Sequence, residues 1–383
     1  MKYYIKATEI YSEDGVLNNG GLIIKDGIIE QICQEDKEKQ EILDLTGYKV
    51  LPGLIDMHIH GANSYDTMDA SYEALNEISK YLAQNGITAF LPTTMTVKWE
   101  SSLKAVENID KAMKKGVDGA EIIGAYVEGP YITKEHKGAQ PEAFIRDLDI
   151  NDLEELISAS NNSIKILTIA PEKEKTIEAI KFLTARGIEV SLGHTNATFE
   201  QTKKAIENGA RIGVHTFNGM RGLHHREPGV VGALLAIDDV YTELIADTIH
   251  VNPAVMKILA KCKGVDKVCL ISDCMRAGGL DDGEYILGEL EVVVKDSIPR
   301  LKTGSLAGST LKLINAVKNM IQKVNIDPID AVHMASLVPA KILKMDDMIG
   351  SIKQNKKANL TVIDDNYNVV MTIIEGKIVY NNI

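Results

Sequence analysis

The chain has no excess of positive charge. Its 383 residues carry a net charge of −12 at pH 7. That argues against a nucleic-acid protein, which needs a basic surface to displace counterions. It leaves room for a small anion, because a few local cations and backbone N–H groups can bind phosphate inside an acidic protein. Cysteine is scarce too. The four present, Cys33, Cys262, Cys269 and Cys274, form no CxxC pair, which argues against a disulfide framework and for reduced thiols in a cytoplasmic protein. Long hydrophobic runs are missing: the longest, around "VVGALLAI", is far too short to span a bilayer. The polar start "MKYYIKATEIYSEDG" holds no signal-peptide core. There is no low-complexity segment and no internal repeat. A dinucleotide fingerprint, a GxSxG elbow and a P-loop are all missing, so no competing site of those kinds is visible.

What is present is an ordinary globular balance, 45% apolar and 25% charged, in a chain long enough for a large α/β domain plus a smaller piece. The first fifty residues are short alternating runs. Asp26-Gly27 inside "GLIIKDGIIEQI" is a hairpin signal. The last stretch, "ANLTVIDDNYNVVMTIIEGKIVYNN", has the same character, with turns at Asp364-Asp365-Asn366 and Glu375-Gly376. Because folded termini often lie close together, both ends are assigned to one small β domain, residues 1–52 plus 350–383.

Between the ends, strand-like runs alternate with helical ones. The strands are expected at 54–60, 87–93, 122–128, 164–170, 188–194, 213–217, 242–247 and 268–273. Helical periodicity fills most intervals, as in "SYEALNEISKYLAQNG", "EKTIEAIKFLTARG" and "TFEQTKKAIENGA", and Gly86, Gly187 and Gly209 stand as C-caps. The interval after the sixth strand, "HHREPGVVGALLAI", reads as a loop with a short helix. Eight such units call for a closed parallel (β/α)8 barrel over residues 53–349 rather than an open doubly wound sheet.

Several expected strands end in a residue that can bind a metal or move a proton. The first ends in His58 and His60, the third in Glu128 and the fifth in His194. The sixth carries His215, the seventh ends in Asp247 with His250 beyond it, and the eighth ends in Asp273. In a parallel barrel all strand C-termini meet at one face, so these side chains converge. Each alone has a plainer reading: a hydrogen-bonded histidine, a capping aspartate. The set of four strand-end histidines, out of nine in the chain, is what favours a site. Cys274 beside Asp273 reads as a small buried residue, and His224 and His225 as solvated.

At these residues the chain resembles the amidohydrolase superfamily, and within it the branch that deacetylates N-acetylglucosamine 6-phosphate in amino-sugar catabolism. The resemblance is carried by "LPGLIDMHIHG", "VEGPYITKEHKGAQ", "LGHTNAT", "HTFNGMRGLHHREPG", "ADTIHVNP", "LISDCMRAGG" and "GSLAGST", which span nearly the whole chain. It implies a TIM-like barrel with a small β-sandwich built from both termini, and a divalent cation, zinc or iron, held by Glu128, His194 and His215. Asp273 is then the catalytic proton carrier. Intact His58 and His60 allow a second ion, with Glu128 as bridge. Asn218, Gly219, Arg226 and His250 are implied to hold the sugar phosphate, with Arg226 reaching across a homodimer. Ala139 and Gln140, Asp247, Thr248 and Ile249, and Leu306, Ala307 and Gly308 are implied to line the sugar pocket. Where many relatives read "KGAH", this chain reads "KGAQ". Gln140 can donate a hydrogen bond but cannot carry charge, so the expectation is that an ion held partly by His58 and His60 supplies the missing polarisation. The alternatives are a galacto-specific deacetylase, an amidohydrolase with no phosphate requirement, and a catalytically silent scaffold of the same fold.

Overall fold

Eight parallel strands form the barrel, in the computed structural model that describes residues 2–34 and 41–383. Met1 and residues 35–40, part of the expected 1–52 segment, lie outside the described residues. The barrel strands are Leu54–Ile59, Ile87–Thr94, Ala125–Val127, Ile164–Ile169, Glu189–Leu192, Ile212–Gly213, Tyr241–Ile245 and Val268–Ile271. Each pairs in parallel with the next in sequence order. They read as continuous apolar runs because both faces are covered. Alternate residues separate the two faces. Ile55, Met57, Ala89, Leu91, Ile166, Ile245 and Ile271 fill the interior, over a floor made by the helix Leu337–Ile342. Leu54, Phe90, Leu167 and Leu244 instead pack outward among the surrounding helices.

No strand ladder joins the eighth strand to the first. The seam is closed by isolated bonds: Asp273 N donates to His58 O (2.9 Å), His60 N and Gly61 N donate to Cys274 O (2.9 and 3.1 Å), and Ser272 N donates to Asp56 Oδ1 (3.2 Å). A side-chain carboxylate therefore stands in for a backbone acceptor at the seam, beside the residues singled out in the sequence.

The helices follow the sequence closely. Tyr72–Gln84, Thr176–Thr184 and Phe199–Glu207 fall where the periodicity puts them, the last opened by a Thr198/Gln201 capping box. Gly86, Gly187 and Gly209 all have positive φ just past them, a conformation costly for any residue with a Cβ. After the sixth strand there is a loop and an eight-residue helix, Gly229–Ala236, as expected.

Some strands are shorter than the apolar runs. The third is broken: Glu121–Ile122 and Ala125–Val127 are separated at Gly124, whose φ is 148°. The sixth is only Ile212–Gly213, not 213–217. There the chain leaves the sheet early because His215 and Phe217 adopt positive φ, turning the backbone across the barrel mouth.

The two ends of the chain build one mixed sheet of seven strands. Its order runs from Lys377–Asn381 through Val369–Ile374, Leu360–Ile363, Glu41–Pro52, Lys2–Ser12 and Gly15–Lys25 to Ile28–Cys33. The expected turns at Asp26-Gly27 and Glu375-Gly376 both form. They also meet: a Cβ on Gly27 would sit 2.8 Å from Glu375 O, and Tyr3 donates to Gly376 O (2.8 Å). Three strands lie between those hairpins in the sheet order, so the sheet folds over and encloses a core of its own, with Ile5, Ile24, Leu45, Leu360 and Ile373. A three-stranded antiparallel insert follows the eighth barrel strand: Gly283–Leu287, Leu290–Lys295 and Ile298–Leu301. Its buried face packs on Met95, Ala139 and Met275 at the barrel mouth. No helix among the described residues is long and apolar enough to cross a membrane.

Candidate active site

His58 lies inside the first barrel strand, and His60 and Glu128 immediately follow strands one and three. His194, His215 and Asp273 each stand two residues beyond a strand, and all three have positive φ (46°, 23° and 49°). Such backbone costs about 1–3 kcal/mol per residue and persists only where its surroundings enforce it. Here it turns three side chains from the strand ends toward one centre.

The six residues form two buried groups. Glu128, His194 and His215 make one, and His58, His60 and Asp273 the other. In the first, Glu128 Oε1 lies 3.1 Å from His194 Nε2 and 3.0 Å from His215 Nε2, with the two Nε2 atoms 3.1 Å apart. In the second, His60 Nε2 lies 3.2 Å and His58 Nε2 3.7 Å from Asp273 Oδ1. Glu128 joins them, with Oε2 at 3.3 Å from His60 Nε2 and Oε1 at 3.5 Å from His58 Nε2. Two donors on a tetrahedral zinc lie about 3.3 Å apart.

The tautomers test the fit of a cation. Nδ1 of His60, His194 and His215 faces the backbone oxygens of Thr93, His136 and Asn218, at 3.2, 2.9 and 3.1 Å. A carbonyl only accepts, so Nδ1 carries the hydrogen and Nε2 presents a lone pair. Neutral rings turn Nε2 lone pairs on one another and on the carboxylates, so the arrangement needs positive charge among them, from a metal cation or from protons on the rings. His58 Nε2 and Asp273 Oδ1 are buried with no hydrogen-bond partner among the described residues. The donor set therefore suits one or two divalent cations, and outer partners of this kind are what orient metal ligands.

Electrostatics agree. Burial works against charge on His58, yet Glu243 and then Glu128 raise it to about 9. Burial likewise opposes ionised Glu128, but its histidines, His194 first, hold it well below the usual carboxylate range. The pocket is an anionic cage that demands positive charge.

A cavity of about 280 Å³ opens onto both groups. Gln140, Ala139, Asn218, Gly219, His250, Leu306 and Gly308 line it, together with Met95 and Leu287, which the sequence did not single out. The chain belongs to the amidohydrolase family. A profile of the Amidohydrolase family matches residues 49–379. An N-acetylglucosamine-6-phosphate deacetylase of Vibrio furnissii is 41% identical over 93% of this chain and 90% of its own. An N-acetylgalactosamine-6-phosphate deacetylase of Escherichia coli O157:H7 is 38% identical over 99% of each. The solved structure of a Mycobacterium smegmatis N-acetyl-D-glucosamine-6-phosphate deacetylase, in complex with N-acetyl-D-glucosamine-6-phosphate, superposes with a TM-score of 0.94 at 27% identity. It covers 99% of this chain and 100% of its own.

The remaining residues of this amidohydrolase fall in different places. Asp247 and Ile249 border a neighbouring cavity that shares only His250 with the first. Asp247 Oδ1 caps Ile249 N and His250 N, and its Oδ2 takes His250 Nδ1 at 2.6 Å, so it acts by orienting that ring. Thr248, with φ 71°, sits in the same turn. Ala307 is buried under the insert rather than in the cavity wall. Arg226 is exposed and stays outside its own cavity, with Nη1 2.8 Å from His225 Nε2. The His224 and His225 rings pack against each other beside it, tilted by 41° at 4.3 Å between centroids. The Cys274 thiol is buried, and burial pushes its pKa up, which fits a packing residue.

Gln140 lines the cavity and also has two fixed partners that the sequence did not indicate. Its Oε1 accepts from Thr96 N (2.7 Å), which fixes the amide so that Nε2 donates to Glu128 Oε2 (2.7 Å). The glutamine is thus engaged in holding a carboxylate of the cation cage. Glu243, fully buried behind His58, was missed because it looks like any strand residue in the run "YTELIAD".

Proposed function

We propose that this enzyme removes the acetyl group of N-acetylglucosamine 6-phosphate, giving acetate and glucosamine 6-phosphate. The observation that carries the reading is the pair of buried His/Asp/Glu groups at the floor of a cavity that also presents Asn218, Gly219 and His250. The deacetylase relatives give it direction.

Glu128, His194 and His215 would hold one divalent cation, zinc or iron, and His58, His60 and Asp273 a second. A bound cation of this kind polarises a carbonyl and lowers the pKa of water from about 15.7 to about 7. Asp273 is the proton carrier. Its Oδ1 faces His58 and His60, which leaves Oδ2 to accept a proton from the attacking water and return it to the departing amine. That return matters because an amide nitrogen leaves badly unless protonated. Gln140 keeps Glu128 in register.

In the cavity wall, His250 has Nδ1 fixed by Asp247, so Nε2 is the atom left for the ligand. Gly219, at φ 60°, brings the backbone close: a Cβ there would sit 3.0 Å from His194 Nδ1. A second copy of the chain would supply Arg226, whose forked donors suit phosphate. This makes the working form a homodimer, and it agrees with the exposure of Arg226 and its position outside its own cavity.

The galactosamine relative favours a second reading, the 4-epimer as substrate. The test is acetate release from both phosphorylated N-acetylhexosamines, with metal analysis of the same preparation. Turnover of the gluco compound that disappears with chelation and returns with added metal is expected. Turnover unaffected by chelation, or confined to the galacto compound, refutes the proposal.

A further inference from the structure

Among the four histidines of the cation cage, one has an outer partner unlike the others. His60, His194 and His215 direct Nδ1 at neutral backbone carbonyls. His58 directs Nδ1 at a carboxylate, Glu243 Oε2, at 3.0 Å. Both residues are fully buried. We propose that Glu243 is a positioning residue for the second cation: it locks His58 in its ligating tautomer and, through its charge, sets how tightly the His58/His60/Asp273 group keeps its ion. The proposal rests on the two-cation reading above.

Glu243 stands on the seventh strand, Tyr241–Ile245, and does not line the cavity. Its Oε2 accepts from His58 Nδ1 and from His215 N (3.2 Å), and its backbone oxygen accepts from Thr216 N (2.9 Å). Among the described residues its Oε1 has no hydrogen-bond partner and its one ion pair is with His58. A carboxylate this deep needs positive charge nearby. The Tyr126 ring packs on His58 at 4.7 Å between centroids, so the imidazole cannot swing away. With Nδ1–H given to Glu243, the Nε2 lone pair faces Glu128 Oε1 and Asp273 Oδ1, at 3.5 and 3.7 Å. A ring nitrogen directed at two carboxylate oxygens is placed to share a cation with them. A carboxylate behind the imidazole makes the ring a stronger electron donor than a carbonyl does.

Glu243→Gln separates charge from shape, because the amide oxygen can still accept from both N–H groups. Zinc titration of full-length metal-stripped protein, followed by timed release to a chelator, reads each site without substrate. Wild type should take two zinc ions per chain. The variant should keep one at wild-type affinity and bind the other about 10- to 100-fold more weakly. The metal-free forms should melt at the same temperature. Unchanged affinity at both sites overturns the proposal. So does weakening of both sites together with a lowered melting temperature of the metal-free form, the mark of a purely structural role. A wild type that saturates at one ion overturns it as well. Two-ion wild type without acetate release would refute the function above, and the comparison with the variant would still decide this inference.

Discussion

Replacing Gln140 with leucine distinguishes two roles for that residue. If Gln140 were a donor to the substrate carbonyl, its loss would remove an oxyanion-type hydrogen bond and cost about 10²–10³ in kcat. In the structure its amide is engaged with Glu128 and Thr96. Its Nε2 is 2.7 Å from Glu128 Oε2, and its Oε1 caps Thr96 N at 2.7 Å. A hydrogen bond to a charged acceptor contributes about 1.5–3 kcal/mol. Losing it lets Glu128 drift and should weaken cation binding by about 10- to 150-fold. The unpaired Thr96 N–H would lower stability by a further ~1–3 kcal/mol, partly offset by the buried leucine. The assay is kcat as a function of added metal, with a metal titration of the stripped protein. The expected result is low activity at trace metal and recovery to within a few-fold of wild type at saturating metal. A kcat that stays depressed at saturation, with unchanged metal affinity, would refute this role and point to a direct bond from Gln140 to the substrate carbonyl.

Other outcomes follow from the same geometry. Mutating His58 and His60 together to asparagine should reduce bound metal from two ions to one and cut turnover sharply; a double mutant with full activity and one ion sinks the idea that the second ion contributes. Arg226→Ala should raise KM for the phosphorylated substrate and leave that for the unphosphorylated sugar unchanged, and equal effects on both would show that Arg226 does not read the phosphate. Glu13 is a test of stability. Burial alone would raise its carboxyl, but Lys353, Ser351 and Lys356 hold it at about 2, against 4.5 for a free glutamate. Its contribution, about 1–2 kcal/mol once solvent screening of this partly exposed group is allowed for, is therefore full above pH 4.5 and is lost as pH falls from 4.5 to 2. Glu13→Gln should be less stable by up to that amount at pH 7 in urea titrations, and the difference should shrink below pH 4.5; a difference that does not change with pH removes the electrostatic account.

Sequence alone was enough for the outline of this protein, and the physical reason is local. Eight continuous apolar runs alternating with glycine-capped helices favour a closed parallel barrel over an open sheet, and alternating runs with Asp-Gly and Glu-Gly turns mark the terminal sheet. Histidine is rare and reactive, so its recurrence at 58, 60, 194 and 215, with Glu128 and Asp273 at matching positions, was visible before any coordinate. Other features depend on residues far apart in the chain. Glu243 reaches His58 across 185 positions, and Asp56 closes the barrel seam onto Ser272 across 216. Gln140 is turned by Thr96 toward Glu128, and the insert at 283–301 brings Leu287 over the cavity. An ordinary-looking glutamate or glutamine acquires its role from the partner it meets, and that meeting exists only once the strands have closed into a ring.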